Sequence, residues 1–117
     1  MSRGPVLVTG AAGFAGSHLL EHLAAPADIT GWSRSEPPAG LAHLARWQRV
    51  DLLARDTVRA ALRELQPEAV YHCAGVPHVA QSWKASARAL EGNVIGTHVL
   101  LDELRRLERP VRCVVTG

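Results

Sequence analysis

Three features are scarce in this sequence: cysteine, long apolar runs and net charge. The two cysteines, Cys73 and Cys113, both fall in short apolar runs typical of strands, so we expect buried reduced thiols rather than a disulfide. No apolar run approaches the about 20 residues that cross a membrane. The formal net charge of +2 is too small to indicate a nucleic-acid or membrane partner. The N-terminus leads straight into a predicted strand, so we expect no signal peptide, and reduced thiols suit a cytoplasmic protein.

The chain is long enough for one domain, residues 1–117, and its 47% apolar and 21% charged residues are ordinary for a globular domain. Short apolar runs alternate with helical patterns along its whole length. We predict strands over 6–9, 28–32, 47–50, 69–73 and 111–116. Helices are predicted over 13–25, from an N-cap at Asp56 to a stop at Pro67, and over 82–107, with one or two helical turns within 41–46.

Alternating strands and helices indicate an α/β fold of the Rossmann type, a doubly wound parallel sheet of order 3-2-1-4-5 covered on both faces. The long helix over 82–107 is expected to be buried on more than one side. One apolar stripe along it consists of Trp83, Ala87, Leu90, Val94, Leu101 and Leu104, and a second of Ile95 and Val99.

The turn after the first predicted strand carries three glycines at the spacing Gly10-x-x-Gly13-x-x-Gly16. A diphosphate binds the free N–H groups at a helix N-terminus, where the helix dipole favours negative charge. Side chains would hold the phosphates off, and glycine also tolerates positive φ. A third glycine inside the helix lets helix and strand pack closely. Strand, glycine turn and helix together indicate a dinucleotide site, although three glycines alone also fit a plain turn.

In a doubly wound sheet the ligand lies beyond the carboxyl ends of the strands, at the switch between the first and fourth strands. Asp51 there can accept a hydrogen bond from an adenine amino group, and the small residues Ala74 and Gly75 leave room for a ribose. The alternative is that Asp51 and Gly75 only shape turns. The strand ends predicted to meet there are 10–16, 33–34, 51–52, 73–76 and 116–117.

Several stretches resemble the extended short-chain dehydrogenase/reductase family, specifically its NAD(P)-dependent nucleotide-sugar epimerases and dehydratases. The glycine turn reads T-G-A-A-G-F-A-G-S-H-L, and V-D-L at 50–52 and V-Y-H-C-A-G at 70–75 are similar to the family's strand ends. H-V-A-Q-S-W at 78–83 resembles mannose-type dehydratases and their reductase relatives. N-V-I-G-T at 93–97, followed by Leu100 and Leu101, resembles the family's fourth helix. The resemblance covers nearly the whole chain.

The resemblance implies NADP or NAD as the cofactor, hydride transfer at a sugar carbon, and a nucleotide-sugar substrate for the complete protein, which it also allows to be a homodimer. It favours the cofactor interpretation of the strand ends and adds Asn93, in the middle of a helix. The cofactor-binding residues that it implies are Gly10, Gly13, Phe14, Ala15, Gly16, Ser33, Arg34, Ser35, Asp51, Leu52, Cys73, Ala74, Gly75, Val76, Asn93 and Thr116.

The family's proton transfers use a Ser or Thr together with a Tyr and a Lys in Y-x-x-x-K. The only tyrosine here is Tyr71, in a predicted strand, and the only lysine is Lys84. We therefore expect the catalytic residues beyond Gly117, and we interpret the chain as an N-terminal, truncated part that is inactive alone. The alternative is a non-catalytic protein that senses the dinucleotide.

The residues at the end of the second predicted strand indicate whether NAD or NADP is preferred. Enzymes that prefer NAD place a carboxylate there, about 20 residues after the first glycine, for the ribose hydroxyls. Ser33 stands at that position, followed by Arg34 and Ser35, and a guanidinium beside two hydroxyls suits a 2′-phosphate. The residues therefore favour NADP over NAD.

The segment His18-Leu19-Leu20-Glu21-His22 matches a zinc-peptidase pattern. Because it lies on the helix that follows the glycine turn and no third ligand is evident, we interpret these histidines as surface residues and expect no metal site.

Overall fold

The computed structural model describes residues 4–23, 28–74 and 83–116. Gly75, Val76 and the ends of two predicted helices, at 24–25 and 82, lie outside these ranges. Strands and helices alternate as the sequence predicts. The elements are β1 Val6–Thr9, α1 Phe14–Leu23, β2 Ile29–Ser33, a 3₁₀ turn Ala42–Leu44, β3 Arg46–Arg49, α2 Arg55–Leu65, β4 Ala69–His72, α3 Trp83–Arg105 and β5 Arg112–Val115.

The five strands form one parallel sheet in the order β3-β2-β1-β4-β5, which confirms the predicted order. At the carboxyl end of β1, Thr9 lies opposite Trp32 of β2 on one side and His72 of β4 on the other. The chain winds outward in opposite directions from β1 and β4. The loops that follow these two strands therefore diverge and leave a crevice between them. This crevice is where the predicted site residues converge.

Helices cover both faces of the central strands. Alternate residues of a strand face opposite sides of a sheet, and β1 shows this clearly. Leu7 packs with Val58 of α2 and Leu100 of α3 on one face, whereas Val8 packs with Leu20 of α1 on the other. All five of these side chains are fully buried. The two layers hold β1 and its glycine turn in place.

The outer strands are less covered than the sequence analysis expects. Every residue of β1 and β2 is buried, but β3 and β5 are mostly exposed. Val114 and Val115 of β5 are 52% and 48% exposed. The expectation of a sheet covered on both faces is therefore correct for its central strands and wrong for β3 and β5, which are its two edges in this chain.

Helix α3 buries only part of the apolar surface that the sequence predicts. In the predicted stripe, Trp83 is 86% exposed, Leu90 65% and Val94 56%. Leu104 of that stripe and Val99 of the second stripe are buried as predicted, and the other buried residues are Ala89, Gly96, Leu100 and Glu103. The prediction was wrong for Trp83, Leu90 and Val94, because helical spacing groups residues into stripes but does not say how much of a stripe the sheet covers. No helix in the described part of the chain is both long enough and apolar enough to cross a membrane.

The start of α2 also differs from the prediction. The N-cap is Ala54, which makes no side-chain capping bond, and Asp56 lies inside the first turn. Asp56 still suits this position, since a carboxylate in the first turn interacts favourably with the helix dipole. The helix ends at Gln66, whose left-handed backbone donates its N–H to the Leu62 carbonyl, one residue before the predicted stop at Pro67.

Candidate functional site

A cleft of about 530 Å³ opens at the carboxyl edge of the sheet, within the size range of small-molecule sites. The loops that follow four of the five strands and one turn of α3 form its walls. Its lining residues are Thr9, Gly10, Ala12, Gly13, Trp32, Ser33, Arg34, Ser35, Val50, Asp51, Leu52, Leu53, His72, Cys73, Ala74, Gly92 and Asn93.

Two glycines of the turn are required by close packing. Gly10 has a φ of +63°, and a Cβ there would lie 2.6 Å from the backbone nitrogen of Ala74. A Cβ on Gly16 would collide with the Gly10 carbonyl oxygen and lie 2.8 Å from the Ala11 Cα. These glycines bring the turn against the end of β4 and the first turn of α1 against the loop. Both approaches fit only a residue without a side chain.

Gly13 has a different environment. It is exposed, it lines the cleft, and the nearest atom to a Cβ there would be the Gly10 carbonyl oxygen at 3.3 Å. The Gly13 N–H donates to that carbonyl at 3.0 Å, which closes the turn. A Cβ here would be tight against that one oxygen, a milder conflict than at Gly10 or Gly16, and without a side chain the mouth of the turn stays open toward the cleft.

Helix α1 begins at Phe14, directly after Gly13. The first hydrogen bond into the helix runs from the Ser17 N–H to the Gly13 carbonyl at 2.9 Å. The amides of Phe14, Ala15 and Gly16 precede it, and N–H groups at this place in a helix have no intrahelical acceptor. The Phe14 ring does not line the cleft. It is 84% exposed and packs edge-on against His18 at 4.7 Å.

The end of β2 is a turn built on Ser33. Its side chain is buried, and its Oγ accepts the Ser35 N–H at 3.1 Å and lies 3.3 Å from the Ser35 Oγ. Arg34 lies within this turn, is exposed, and lines the cleft with both serines. Two hydroxyls and a guanidinium therefore lie together at this wall, with no carboxylate at the end of the strand.

The end of β3 is shaped by Asp51. Its Oδ1 accepts the Leu53 N–H at 2.9 Å, and its backbone carbonyl accepts the Ala54 N–H, also at 2.9 Å. Asp51 thus forms a turn, as the alternative interpretation of this residue expects, and the same exposed carboxylate lines the cleft. Leu52 lines the cleft beside it and packs against Gly96 of α3.

A line of hydrogen bonds crosses the floor of the cleft. The Ala74 N–H donates to Thr9 Oγ1 at 3.1 Å, and Thr9 Oγ1 lies 2.7 Å from His72 Nδ1. His72 Nε2 lies 2.8 Å from Thr97 Oγ1, which donates to the Asn93 carbonyl at 2.7 Å. Thr9 and His72 are 1% and 2% exposed. Burial lowers the pKa of His72 below its ordinary value and so favours the neutral ring.

Cys73, the residue after His72, places its thiol group at the wall of the cleft. Cys73 is half-buried, and burial raises the pKa of its thiol, while a hydrogen bond with Thr116 partly offsets that rise. Thr116 itself is exposed and continues the pairing of β4 with β5, since its N–H and its Oγ1 both donate to the His72 carbonyl at 3.1 Å.

The structure brings most of the predicted cofactor residues to one cleft. Gly10, Gly13, Ser33, Arg34, Ser35, Asp51, Leu52, Cys73, Ala74 and Asn93 line it. Phe14, Ala15, Gly16 and Thr116 lie beside it without lining it, and Gly75 and Val76 fall outside the described residues. The sequence analysis did not name as site residues Thr9, Ala12, Trp32, Val50, Leu53, His72 and Gly92. All seven directly precede or follow a residue that it did name.

A family model matches residues 6–117, and its description is the NAD dependent epimerase/dehydratase family. GDP-6-deoxy-D-mannose reductase of Pseudomonas aeruginosa is 37% identical over 100 residues, which are 86% of this chain and 29% of that protein. dTDP-glucose 4,6-dehydratase 1 of Escherichia coli K12 is 30% identical over 110 residues, 86% of this chain and 30% of that protein.

Solved structures of nucleotide-sugar epimerases also match this chain. UDP-glucose 4-epimerase from Brucella ovis in complex with NAD matches with a TM-score of 0.81 at 29% identity, over 96% of this chain and 35% of that one. The UDP-glucose 4-epimerase of Thermus thermophilus, in complex with NAD, matches with a TM-score of 0.71 at 34% identity, over 87% and 34%. The chain therefore spans about a third of the length of the proteins that it matches.

Proposed function

We propose, because this chain belongs to the NAD-dependent epimerase/dehydratase family, that its cleft binds a nicotinamide dinucleotide for an enzyme that modifies nucleotide sugars. The observation that carries the proposal is the glycine turn. Gly10, at positive φ, packs against the backbone of Ala74, and Gly13 stays open to the cleft. The start of α1 then offers amides without intrahelical acceptors to a diphosphate.

The walls of the cleft support a proposed position for each remaining part of the cofactor. Asp51 and Leu52 would hold the adenine, and the turn from Ser33 to Ser35 the adenosine ribose. Cys73 and Ala74 lie at the switch point, where the nicotinamide riboside would lie, with Asn93 facing them from α3; Gly75, Val76 and Thr116 remain part of the proposal. When bound, the nicotinamide would exchange a hydride with a sugar carbon. The residues of the chain bind and orient that ring.

The relatives support a proposal for the substrate class. They are named for activity on GDP-linked and dTDP-linked sugars, and one solved neighbour from Thermotoga maritima contains UDP-glucose. We propose a nucleotide sugar as the substrate of the complete protein, which we place in the cytoplasm and expect to be a homodimer. Epimerase, dehydratase and reductase chemistry all include a hydride transfer between a sugar carbon and the nicotinamide.

The proton-transfer residues of such an enzyme do not lie in this cleft. Tyr71, the only tyrosine, lies within β4 and packs in the core with α1, and Lys84, the only lysine, is exposed on α3. We therefore expect the 117 residues alone to bind cofactor and to catalyse no hydride transfer. The same observation favours a second candidate, a protein that binds the dinucleotide only to sense it.

Cofactor preference is part of the proposal. The solved neighbours from Brucella ovis and Thermus thermophilus contain NAD, but the end of β2 in this chain suits NADP. A 2′-phosphate would meet Arg34 and two serine hydroxyls there. Guanidinium groups bind phosphate oxygens through strong charge-assisted hydrogen bonds.

Isothermal titration of the chain with NADP⁺ and NAD⁺ tests the proposal, with Gly13→Val as the test variant. A branched side chain at Gly13 would fill the mouth of the turn, so we expect the affinity to fall below detection. Gly40→Val is the matched control, because Gly40 is exposed and a Cβ there would meet no atom within 4 Å. Circular dichroism checks that both variants fold. Unchanged affinity in Gly13→Val would refute the proposed site.

A hydride-transfer assay tests whether the 117 residues alone are inactive. The chain is mixed with NADP⁺ and UDP-, GDP- and dTDP-sugars, and absorbance at the nicotinamide band is followed. We expect binding and no turnover. Steady turnover by the 117 residues would contradict our assignment of the proton-transfer groups.

A further inference from the structure

The hydrogen bonds across the floor of the cleft have one consistent direction. Thr97 has a single hydroxyl proton, and it goes to the Asn93 carbonyl at 2.7 Å. Thr97 Oγ1 must then accept the proton on His72 Nε2, 2.8 Å away. A neutral imidazole has one N–H, so His72 Nδ1 is an acceptor and receives the Thr9 hydroxyl proton at 2.7 Å. Thr9 Oγ1 in turn accepts the Ala74 N–H.

We infer that His72 is a positioning residue of the cofactor cleft, held as the Nε2–H tautomer, and this inference rests on the proposed function. The chain of bonds ties together three walls that come from distant parts of the sequence. Thr9 directly precedes the glycine turn, Ala74 follows β4, and Asn93 lies on α3. All three line the cleft, as His72 does.

Burial of Thr9 and His72 makes their hydrogen bonds costly to lose. Thr9 and His72 are 1% and 2% exposed, so they have little contact with water that could replace a lost partner. A buried polar group without a partner is unfavourable, and each bond in this chain therefore holds its neighbours to one arrangement. Within the described residues, every buried side-chain nitrogen and oxygen has a partner. The wall formed by α3 is thus fixed to the sheet by polar contacts as well as by packing.

Thr97 offers the cleanest test, because it does not line the cleft. Thr97→Val keeps the shape and removes the hydroxyl, which cuts the chain between His72 and Asn93. Thr97→Ser keeps the hydroxyl. We expect Thr97→Val to bind NADP⁺ about three- to tenfold more weakly, the scale of one hydrogen bond, and Thr97→Ser to restore the affinity. Thr57→Val, on the exposed face of α2 away from the cleft, should bind as the unsubstituted chain does.

The tautomer is a second readout, which simple packing would not change. Long-range ¹H–¹⁵N spectra of the cofactor-free chain should show His72 neutral and protonated at Nε2. In Thr97→Val the Nε2–H loses its acceptor, so the population should shift toward the Nδ1–H form, and in Thr97→Ser it should not. The same spectra check that each variant is folded before titration.

The outcomes separate the inference from the proposed function. If the unsubstituted chain binds NADP⁺ and Thr97→Val binds it equally well, or if His72 carries its proton on Nδ1, the inference alone is overturned. If the unsubstituted chain binds neither NADP⁺ nor NAD⁺, the proposed function fails and the inference fails with it. Weaker binding in Thr97→Val, rescue in Thr97→Ser and the Nε2–H tautomer together support the positioning role.

Discussion

Arg59 of α2 and Glu103 of α3 form a two-bonded ion pair. Arg59 Nε donates to Glu103 Oε1 at 2.9 Å, and Arg59 Nη2 donates to Glu103 Oε2 at 3.1 Å. The Glu103 side chain is only 1% exposed. Arg55 Nη1 adds bonds of 2.6 Å to Glu103 Oε2 and 2.7 Å to Asp102 Oδ2. Planar guanidinium and carboxylate groups fit each other in one geometry, so this cluster sets how α2 and α3 lie against each other.

Replacing Glu103 should destabilise the fold. Glu103→Gln keeps the shape but removes the charge that Arg55 and Arg59 share. Both arginines are about a third exposed and can regain water, so we expect a loss of about 1–3 kcal/mol, below the full effect of breaking a buried pair. Urea unfolding followed by circular dichroism measures it. Glu91→Gln, on an exposed part of α3, is the control, and an equal effect in the two variants would contradict the role of the cluster.

The same cluster should make the stability of the fold depend on pH. Hydrogen bonds from arginines lower the pKa of Asp102 and of Glu103 from their ordinary values of 3.8 and 4.5. A carboxyl group whose pKa is lower in the folded state stabilises the fold above its unfolded pKa and loses that contribution as the pH falls. We therefore expect the urea midpoint to be steady near pH 7 and to drop below about pH 4.5. Glu103→Gln should show a shallower drop, and an identical pH profile would count against this cause.

The order of the sheet could be predicted because it depends on features that are local in sequence. Each strand is a short apolar run, each crossover carries a helical pattern, and right-handed crossovers leave few arrangements. The glycine turn and the strand ends resemble one family, and the family match confirms that prediction. The carboxyl ends of parallel strands meet at one edge, so the residues that end them converge without any knowledge of side-chain packing.

Features that depend on contacts between distant elements could not be predicted. Glu103 is charged and therefore suggests a solvent-exposed position, yet two arginines from α2 allow it to be buried. His72 was seen as part of a family motif, but its role depends on Thr9 and Thr97, which are 63 and 25 residues away. The part of the apolar surface of α3 that stays exposed was missed for the same reason. The spacing of apolar residues along one helix does not specify which of them will contact the sheet.

Gly16 should tolerate no side chain. A Cβ there would collide with the Gly10 carbonyl oxygen and press on the Ala11 Cα at 2.8 Å, and neither backbone atom can move without shifting the turn. We expect Gly16→Ala to lower the free energy of unfolding by about 3 kcal/mol, at the upper end of overpacking effects. Gly13→Ala is the matched variant, since its Cβ would lie 3.3 Å from the nearest atom. Chemical unfolding compares them, and equal stability would refute the packing argument.

Gln66 occupies a backbone conformation that favours glycine. It caps α2 with a φ of +49°, in the left-handed region where helices commonly end in glycine. We expect Gln66→Gly to raise the free energy of unfolding by about 0.5 kcal/mol, the relief of that strain less the greater freedom of the unfolded chain. Glu64→Gly, inside the same helix, should lower it by about 1 kcal/mol. Thermal unfolding measures both, and a loss of stability in Gln66→Gly would show that its side-chain contacts matter more than its φ.

Cofactor preference should depend on Arg34. The end of β2 carries no carboxylate, and the buried Ser33 hydroxyl holds the turn by accepting the Ser35 N–H at 3.1 Å. A 2′-phosphate there would meet no carboxylate from the strand end itself and could pair with the guanidinium. We expect the chain to bind NADP⁺ at least about tenfold more tightly than NAD⁺, about 1.4 kcal/mol, a modest value for one charge-assisted contact.

Calorimetric titration of both cofactors against Arg34→Ala tests this expectation, because loss of the guanidinium should weaken NADP⁺ binding and leave NAD⁺ binding nearly unchanged. The two dissociation constants should then approach each other. Arg49→Ala is the matched control. Arg49 is also exposed and close in sequence, but it pairs with Glu36 at 2.9 Å and does not line the cleft, so its removal should preserve the preference. Equal affinities for the two cofactors in the unsubstituted chain, or an unchanged ratio in Arg34→Ala, would show that the end of β2 does not select NADP.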